Sequence, residues 1–207
     1  MIPCILVHAA YDPPTIFASE CAVEARQVLN SAKFPVWELC GAQACKAEVH
    51  KHLKAVISQV RAFLNYGHGS EAALYGNNGE LLLDLDSANL LHKKICYIIS
   101  CSAAKEFGEH VVSKGGICFL GFNGDFEYSP LHEKVFKMCA NSGIKAMIER
   151  KTTVVEAVRI MRETFDNMIQ HYSGNDKESA NWLMLISLLR DREYLVLLGD
   201  GSVSLWK

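Results

Sequence analysis

The sequence predicts an α/β protein built around a largely parallel sheet. Three observations carry this expectation. Short apolar runs of strand length alternate with longer runs whose apolar residues recur at helical spacing. Half of the 207 residues are apolar and only 21% are charged, which suits one compact core. No repeat, low-complexity tract or Pro/Gly/Ser-rich linker divides the chain, so one domain spanning residues 1–207 is expected. A chain of this length buries on the order of 70% of its unfolded surface and needs no disulfide or metal staple.

The elements follow in order. Cys4 to His8 is an apolar strand, and after the Pro13-Pro14 break Ala22, Ala25, Val28 and Leu29 mark a helix from about Phe17 to Ser31. Val36 to Leu39 is a second strand and Ala44 to Gln59 is helical in period. Arg61 to Tyr66 is a third strand that runs into Gly67-His68-Gly69-Ser70. Between Ala73 and Asp84 the tripeptide Asn77-Asn78-Gly79 signals a hairpin turn, because Asn and Gly tolerate positive φ. Ser87 to His92 is a short helix. Ile95 to Ser100 is the clearest buried strand and delivers Cys101 just past its carboxyl end, ahead of a helix from about Ala103 to Ser113. Ile117 to Gly121 is another strand. Helices are expected at about Leu131 to Asn141, Val154 to Tyr172 and Ser179 to Leu189, with Ser173-Gly174-Asn175-Asp176 as a polar loop. Glu193 to Leu198 and Ser202 to Trp206 read as a strand pair around Gly199-Asp200-Gly201.

Charge and composition narrow the function. Twenty-one Lys plus Arg against 23 Asp plus Glu give a formal charge of −2, which excludes a strongly electrostatic binder of nucleic acid or membrane. No window approaches the roughly 18 to 20 apolar residues of a membrane helix, and MIPCILVHAAYD lacks a basic start and a long apolar stretch, so a cytoplasmic location is expected. Eight cysteines would fit a disulfide framework in a short secreted chain. In a cytosolic protein they are chiefly packing residues, as for Cys4, Cys96 and Cys118 inside apolar runs.

Two residues stand apart. In open α/β sheets chemistry gathers outside the carboxyl ends of the strands, and His68 and Cys101 both fall there, 33 residues apart on consecutive major strands. A hairpin and a short helix between them would bring those strands side by side. A base, or the start of a helix near Ala103, would favour the thiolate of Cys101. Gly69 allows close backbone approach, and its N–H with that of Cys101 could form a two-donor oxyanion hole. The set is a nucleophile, a base and oxyanion donors, the equipment of acyl transfer.

The blocks YGHGS at 66 to 70 and IISCSAAKEFG at 98 to 108 resemble the His-Gly and Cys blocks of clan CD cysteine peptidases. Gly115-Gly116-Ile117 followed by Phe119-Leu120-Gly121-Phe122, and the ending Leu197-Leu198-Gly199-Asp200, are similar to the CHAT-domain and gingipain-like branches. The resemblance covers residues 61 to 126 best. It implies a caspase-like α/β/α sandwich, His68 as catalytic histidine, Cys101 as nucleophile, and a cysteine endopeptidase that cleaves a protein or peptide substrate through a thioester without metal or organic cofactor. It also implies an activating partner or ligand that orders the loops Glu71 to Gly79 and Gly121 to Ser129. The Gln-Ala-Cys sequence of caspases is absent, since Ile99-Ser100-Cys101-Ser102 stands there. In this family the residue before the scissile bond meets the loop after the first strand, the position two before the nucleophile, and the loop after the next strand. Those places hold Tyr11 and Asp12, Ile99, and Asn123 to Phe126 with Asp125. No arginine is among them, so specificity for aspartate is not expected and a large apolar or basic residue is.

Other chemistries fit less well. A phosphatase loop needs Arg six residues after the cysteine, where Phe107 stands, and a hydrolase elbow needs glycines where Ile99 and Ala103 stand. Neither a Walker-type nor a GxGxxG loop follows the first strand. Cys40, Cys45, His50 and His52 invite a zinc reading, but His50 and His52 would point to different helix faces, and no metal site is expected. His8 ends the first strand near the same sheet edge and reads as a loop histidine. The remaining alternative from another class is a catalytically inactive caspase-like adaptor that binds a partner through the same fold.

Overall fold

The computed structural model describes residues 4–55, 61–173 and 179–206. Six strands form one sheet in the order β2-β1-β3-β6-β7-β8: β1 (Cys4–His8), β2 (Val36–Cys40), β3 (Ala62–Tyr66), β6 (Ile95–Ile99), β7 (Cys118–Phe122) and β8 (Leu195–Gly199). The pairs from β2 through β7 are parallel, and β8 runs antiparallel to β7. A separate hairpin of β4 (Ala73–Tyr75) and β5 (Leu81–Asp84) turns through Asn78, whose φ of +53° is the left-handed conformation that Asn accepts.

Alternation along the strands divides the core between the two faces of the sheet. Cys4, Leu6, Leu64, Tyr66 and Tyr97 face the layer of α1 (Pro13–Ser31), α4 (Glu133–Glu149), α5 (Val154–Ser173) and α6 (Ser179–Tyr194). Ile5, Val7, Phe63, Cys96 and Ile98 face α2 (Lys46–Ala55), α3 (Glu106–Ser113) and the hairpin. Each central strand is therefore buried on both sides, which is why it reads as a continuous apolar run. The result is the three-layer α/β/α arrangement with a mostly parallel sheet.

The expected boundaries need correction at several points. Helix α1 begins at Pro13 rather than Phe17, because Asp12 caps it: its side chain accepts from the Thr15 N–H at 2.9 Å, and the Thr15 hydroxyl closes a capping box. Helix α2 starts at Lys46, and residues 56–59 of the expected helix lie outside the described residues. The Ser87 to His92 segment is a 3-10 helix over Leu85–Leu91. Helix α3 begins at Glu106 instead of Ala103, since the intervening amides bond elsewhere: Ser102 N–H to the Gly124 carbonyl and Ala104 N–H to that of Phe122. Helix α4 runs past Asn141 to Glu149. Gly143, which could have ended it, lets α4 press on Met161 and Tyr97, for a Cβ there would lie 2.4 Å from the Met161 sulfur. Helix α6 extends to Tyr194 and passes directly into β8, while Ser202 to Trp206 forms no second strand. Of the expected polar loop, Ser173 ends α5, and residues 174–176 lie outside the described residues.

Candidate active site

β3 and β6 are neighbours in register, Tyr66 opposite Ile99, so the residues that follow them emerge together at one sheet edge. The two ends are tied: the buried Asn65 amide donates to the Ser100 hydroxyl at 3.0 Å, and Gly67 N–H donates to the Ile99 carbonyl at 3.2 Å. Gly69 makes the closest approach. A Cβ on it would stand 2.7 Å from the Cys101 carbonyl oxygen and 2.8 Å from the Ser100 Cβ, so only glycine lets the loops meet this tightly.

His68 and Cys101 both line one cavity of about 390 Å³ at this edge. Its other walls come from Phe17 at the start of α1, Ile99, and the segment Phe126 to Tyr128 after β7. The His68 ring is oriented by Asp12, with Nε2 2.8 Å from Oδ2 of the carboxylate. An ionised Asp12 can only accept a hydrogen bond there, which fixes the tautomer with hydrogen on Nε2 and leaves Nδ1 with the free lone pair. Burial pushes the Asp12 carboxyl up, yet the hydrogen bonds from His68 and Thr15 outweigh it and hold the pKa below the usual carboxylate range.

Cys101 begins a turn in which Ser102 has φ +53°, a conformation maintained by the amide bonds to Gly124 and Phe122. Its thiol donates to the Phe126 carbonyl at 3.8 Å. Burial pushes its pKa above the ordinary thiol value, and the carboxylates of Asp125 and Asp191 add to this. The expected helix start at Ala103 is not beside it, since α3 begins at Glu106. The thiol therefore rests protonated.

The rung between the His68 loop and β4 uses Ser70 N–H to Ala73 O and Tyr75 N–H to His68 O, so the Gly69 N–H takes no part in it. Of the residues expected to meet substrate, Ile99 and Phe126 line the cavity, whereas Asp12 is turned to His68. Asp125 accepts from the Ser102 hydroxyl at 3.2 Å, and Asn123 donates its N–H to the Tyr194 carbonyl, facing a different depression beside α3.

Several residues here were not anticipated. Phe17 and Tyr128 complete an aromatic wall with Phe126, a residue of the loop expected to meet substrate, the Phe17 and Tyr128 rings stacked at 4.0 Å between centroids. Helix α6 grips Glu127: Ser187 donates to one carboxylate oxygen at 2.9 Å, Arg190 to the other at 2.9 Å, and Asp191 accepts the Glu127 N–H at 2.9 Å. Asp191 has 0% exposure, and its Oδ2 has no hydrogen-bond partner. Burial pushes its pKa well above the carboxylate range. The only sequence signal for any of these was Asp12-Pro13-Pro14-Thr15, a helix-capping pattern that places Asp12 at the head of α1.

The other flagged residues sit elsewhere. His8 is buried between Ser19 at 2.9 Å and Glu38 at 3.0 Å, with Arg26 pairing Glu38, and joins α1 to the first two strands. His50 contacts the Leu82 carbonyl and His52 the Glu48 carbonyl. Among the described residues no group of three or more His, Cys, Asp or Glu is placed to hold a metal ion, and no helix is long and apolar enough to cross a membrane.

No protein-family model and no curated protein matches the chain. Among solved structures, it is similar to a complex of the RgpB pro- and mature domains from Porphyromonas gingivalis, with a TM-score of 0.68 and 9% sequence identity. The match covers 98% of this chain and 48% of that one, so the chain spans about half the length of its structural neighbour. At that identity the likeness shows a shared fold alone.

Proposed function

We propose that the chain is a cysteine endopeptidase acting through Cys101 and His68. The observation that carries this reading is their convergence on one cavity at the ends of adjacent parallel strands, with His68 oriented by Asp12. The gingipain-like fold supports it. In the proposed reaction the Cys101 thiol gives its proton to His68 Nδ1 as sulfur bonds to the scissile carbonyl carbon. The N–H groups of Gly69 and Cys101 receive the developing oxyanion. The C–N bond then breaks, and His68 returns the proton to the departing amine. Water attacks the thioester, giving a proton to His68 that restores the thiol as the acid leaves. The sequence of bonds closes without a metal or organic cofactor. Eight unpaired cysteines suit a reducing compartment, in keeping with a cytoplasmic location.

Activation by a protein partner or ligand belongs to the same proposal. A protonated thiol bonded to the Phe126 carbonyl is a resting arrangement, and the Phe126 to Tyr128 segment is fastened to α6 through Glu127. Whatever shifts that segment alters the surroundings of Cys101. The same observation favours a second reading, an inactive adaptor of this fold. The deciding experiment is cleavage of peptide mixtures by wild type, Cys101→Ala and His68→Ala, alongside thermal melts. Turnover lost in the first variant and cut by orders of magnitude in the second, with folding kept, supports the peptidase. Cleavage retained in Cys101→Ala refutes it.

A further inference from the structure

We propose that the cavity beside Cys101 is the specificity pocket for the residue before the scissile bond and takes a large apolar side chain, aromatic above all. The inference rests on the peptidase reading and goes beyond it by choosing between an apolar and a basic residue. The cavity opens at the nucleophile, and about 390 Å³ is the small end of the range of roughly 300 to 1,000 Å³ for ligand sites, sized for one large side chain. Its lining is mostly apolar, with the rings of Phe17, Phe126 and Tyr128 beside Ile99 giving a surface suited to stacking and Ser100, Glu127 and Ser187 as polar members.

A basic side chain would need a free carboxylate in the cavity, and none stands there among the described residues. Glu127, which lines the cavity, is engaged at both oxygens by Ser187 and Arg190. Asp12 holds His68, and neither Asp12 nor Asp125 lines the cavity. Asp191 is sealed behind the wall and does not line the cavity, so it meets no bound side chain. An acidic side chain would need a cation, and among the described residues no Arg or Lys lines the cavity, while Arg190 is neutralised by Glu127. Burying a large apolar side chain in such a site favours it by roughly ten- to a hundredfold over a charged one left uncompensated.

The test uses the full chain in two forms. Cys101→Ala is titrated with acetyl-Ala-Ala-Ala-Xaa amides, Xaa being Phe, Leu, Arg or Asp, and wild type is treated with the corresponding peptidyl chloromethyl ketones, with labelling of Cys101 followed by mass spectrometry. The proposal expects Phe, followed by Leu, to bind and label at least about tenfold better than Arg or Asp. The preference should shrink in both Phe126→Ala and Tyr128→Ala, two variants so that misfolding of one does not decide the matter. Equal or better performance by Arg or Asp overturns it, as does an unchanged preference in both variants. Selective binding of the Phe peptide with no labelling of Cys101 by any ketone would sink the peptidase reading and leave the pocket standing. Labelling of Cys101 at equal rates by all four would do the reverse.

Discussion

Replacing Asp12 separates two jobs that one carboxylate performs. Its Oδ1 caps α1 through the Thr15 N–H at 2.9 Å, and its Oδ2 holds His68 Nε2 at 2.8 Å. Asp12→Asn retains an oxygen acceptor for the cap, so the cap itself should lose no more than a few tenths of a kcal/mol. It removes the anion that orients the imidazole. A hydrogen bond to a charged group contributes about 1.5–3 kcal/mol, but His68 and Asp12 are 37% and 34% exposed, so solvent screening reduces this to about 1–2 kcal/mol. Felt in the transition state, that loss lowers kcat/KM by roughly 5- to 30-fold. Asp12→Ala loses the cap as well, costing about 1 kcal/mol of stability and several degrees of Tm on top of the rate loss. The assay is peptide cleavage, or Cys101 labelling by a peptidyl electrophile if the isolated chain turns over slowly, beside a thermal melt. Undiminished activity in Asp12→Asn would refute the orienting role, and an unchanged Tm in Asp12→Ala would refute the cap.

Three further outcomes follow from the same geometry. Because burial first, and then Asp125 and Asp191, raise the Cys101 pKa, its labelling by iodoacetamide should rise with pH to a midpoint above the ordinary thiol value, and Asp125→Asn should lower that midpoint; a midpoint at or below a free thiol's contradicts this. Gly69→Ala forces a Cβ to 2.7 Å from backbone, so it should cost about 1–3 kcal/mol of stability in urea unfolding and slow Cys101 chemistry, and a neutral result would remove the close approach from the account. Asp191 has a folded pKa raised above its unfolded value, so the folded state keeps a proton that the unfolded chain releases above about pH 4. Stability should therefore fall as pH rises from there toward the folded pKa, and Asp191→Asn should flatten that slope; parallel pH profiles for the two proteins would contradict it.

What the sequence made legible was what local pattern controls. The apolar runs of β1, β3, β6 and β7 announced a buried parallel sheet, and strand-end logic placed His68 and Cys101 on one edge, where they line one cavity. What stayed hidden depends on long-range partners. The late start of α3 follows from amides of Ser102 and Ala104 that bond to the end of β7, an attraction no local propensity records. The passage of α4 through Gly143 reflects contact with α5 and β6. Asp12 was singled out for meeting substrate, yet the capping pattern around it turns its carboxylate toward His68. The aromatic wall joins Phe17 to Phe126 and Tyr128, 109 and 111 positions away, and the grip of α6 on Glu127 spans 60 to 64 positions, so only the fold reveals them.

The electrostatics of the edge separate readiness from reactivity. A half-buried thiol facing a carbonyl and two acidic neighbours is held neutral, while the histidine is already oriented by its carboxylate. In the proposed peptidase the rate would depend on how the Phe126 to Tyr128 segment sits, and that segment is fastened to α6 by three side chains. An activator that loosens this attachment would change the surroundings of Cys101 without touching the dyad.

The most direct test of the central claim is a comparison of new protein N-termini in cells expressing wild type or Cys101→Ala at equal levels. The account predicts a small set of cleavages that appears only with wild type, each preceded by a large apolar residue. The same set of N-termini in both would contradict it.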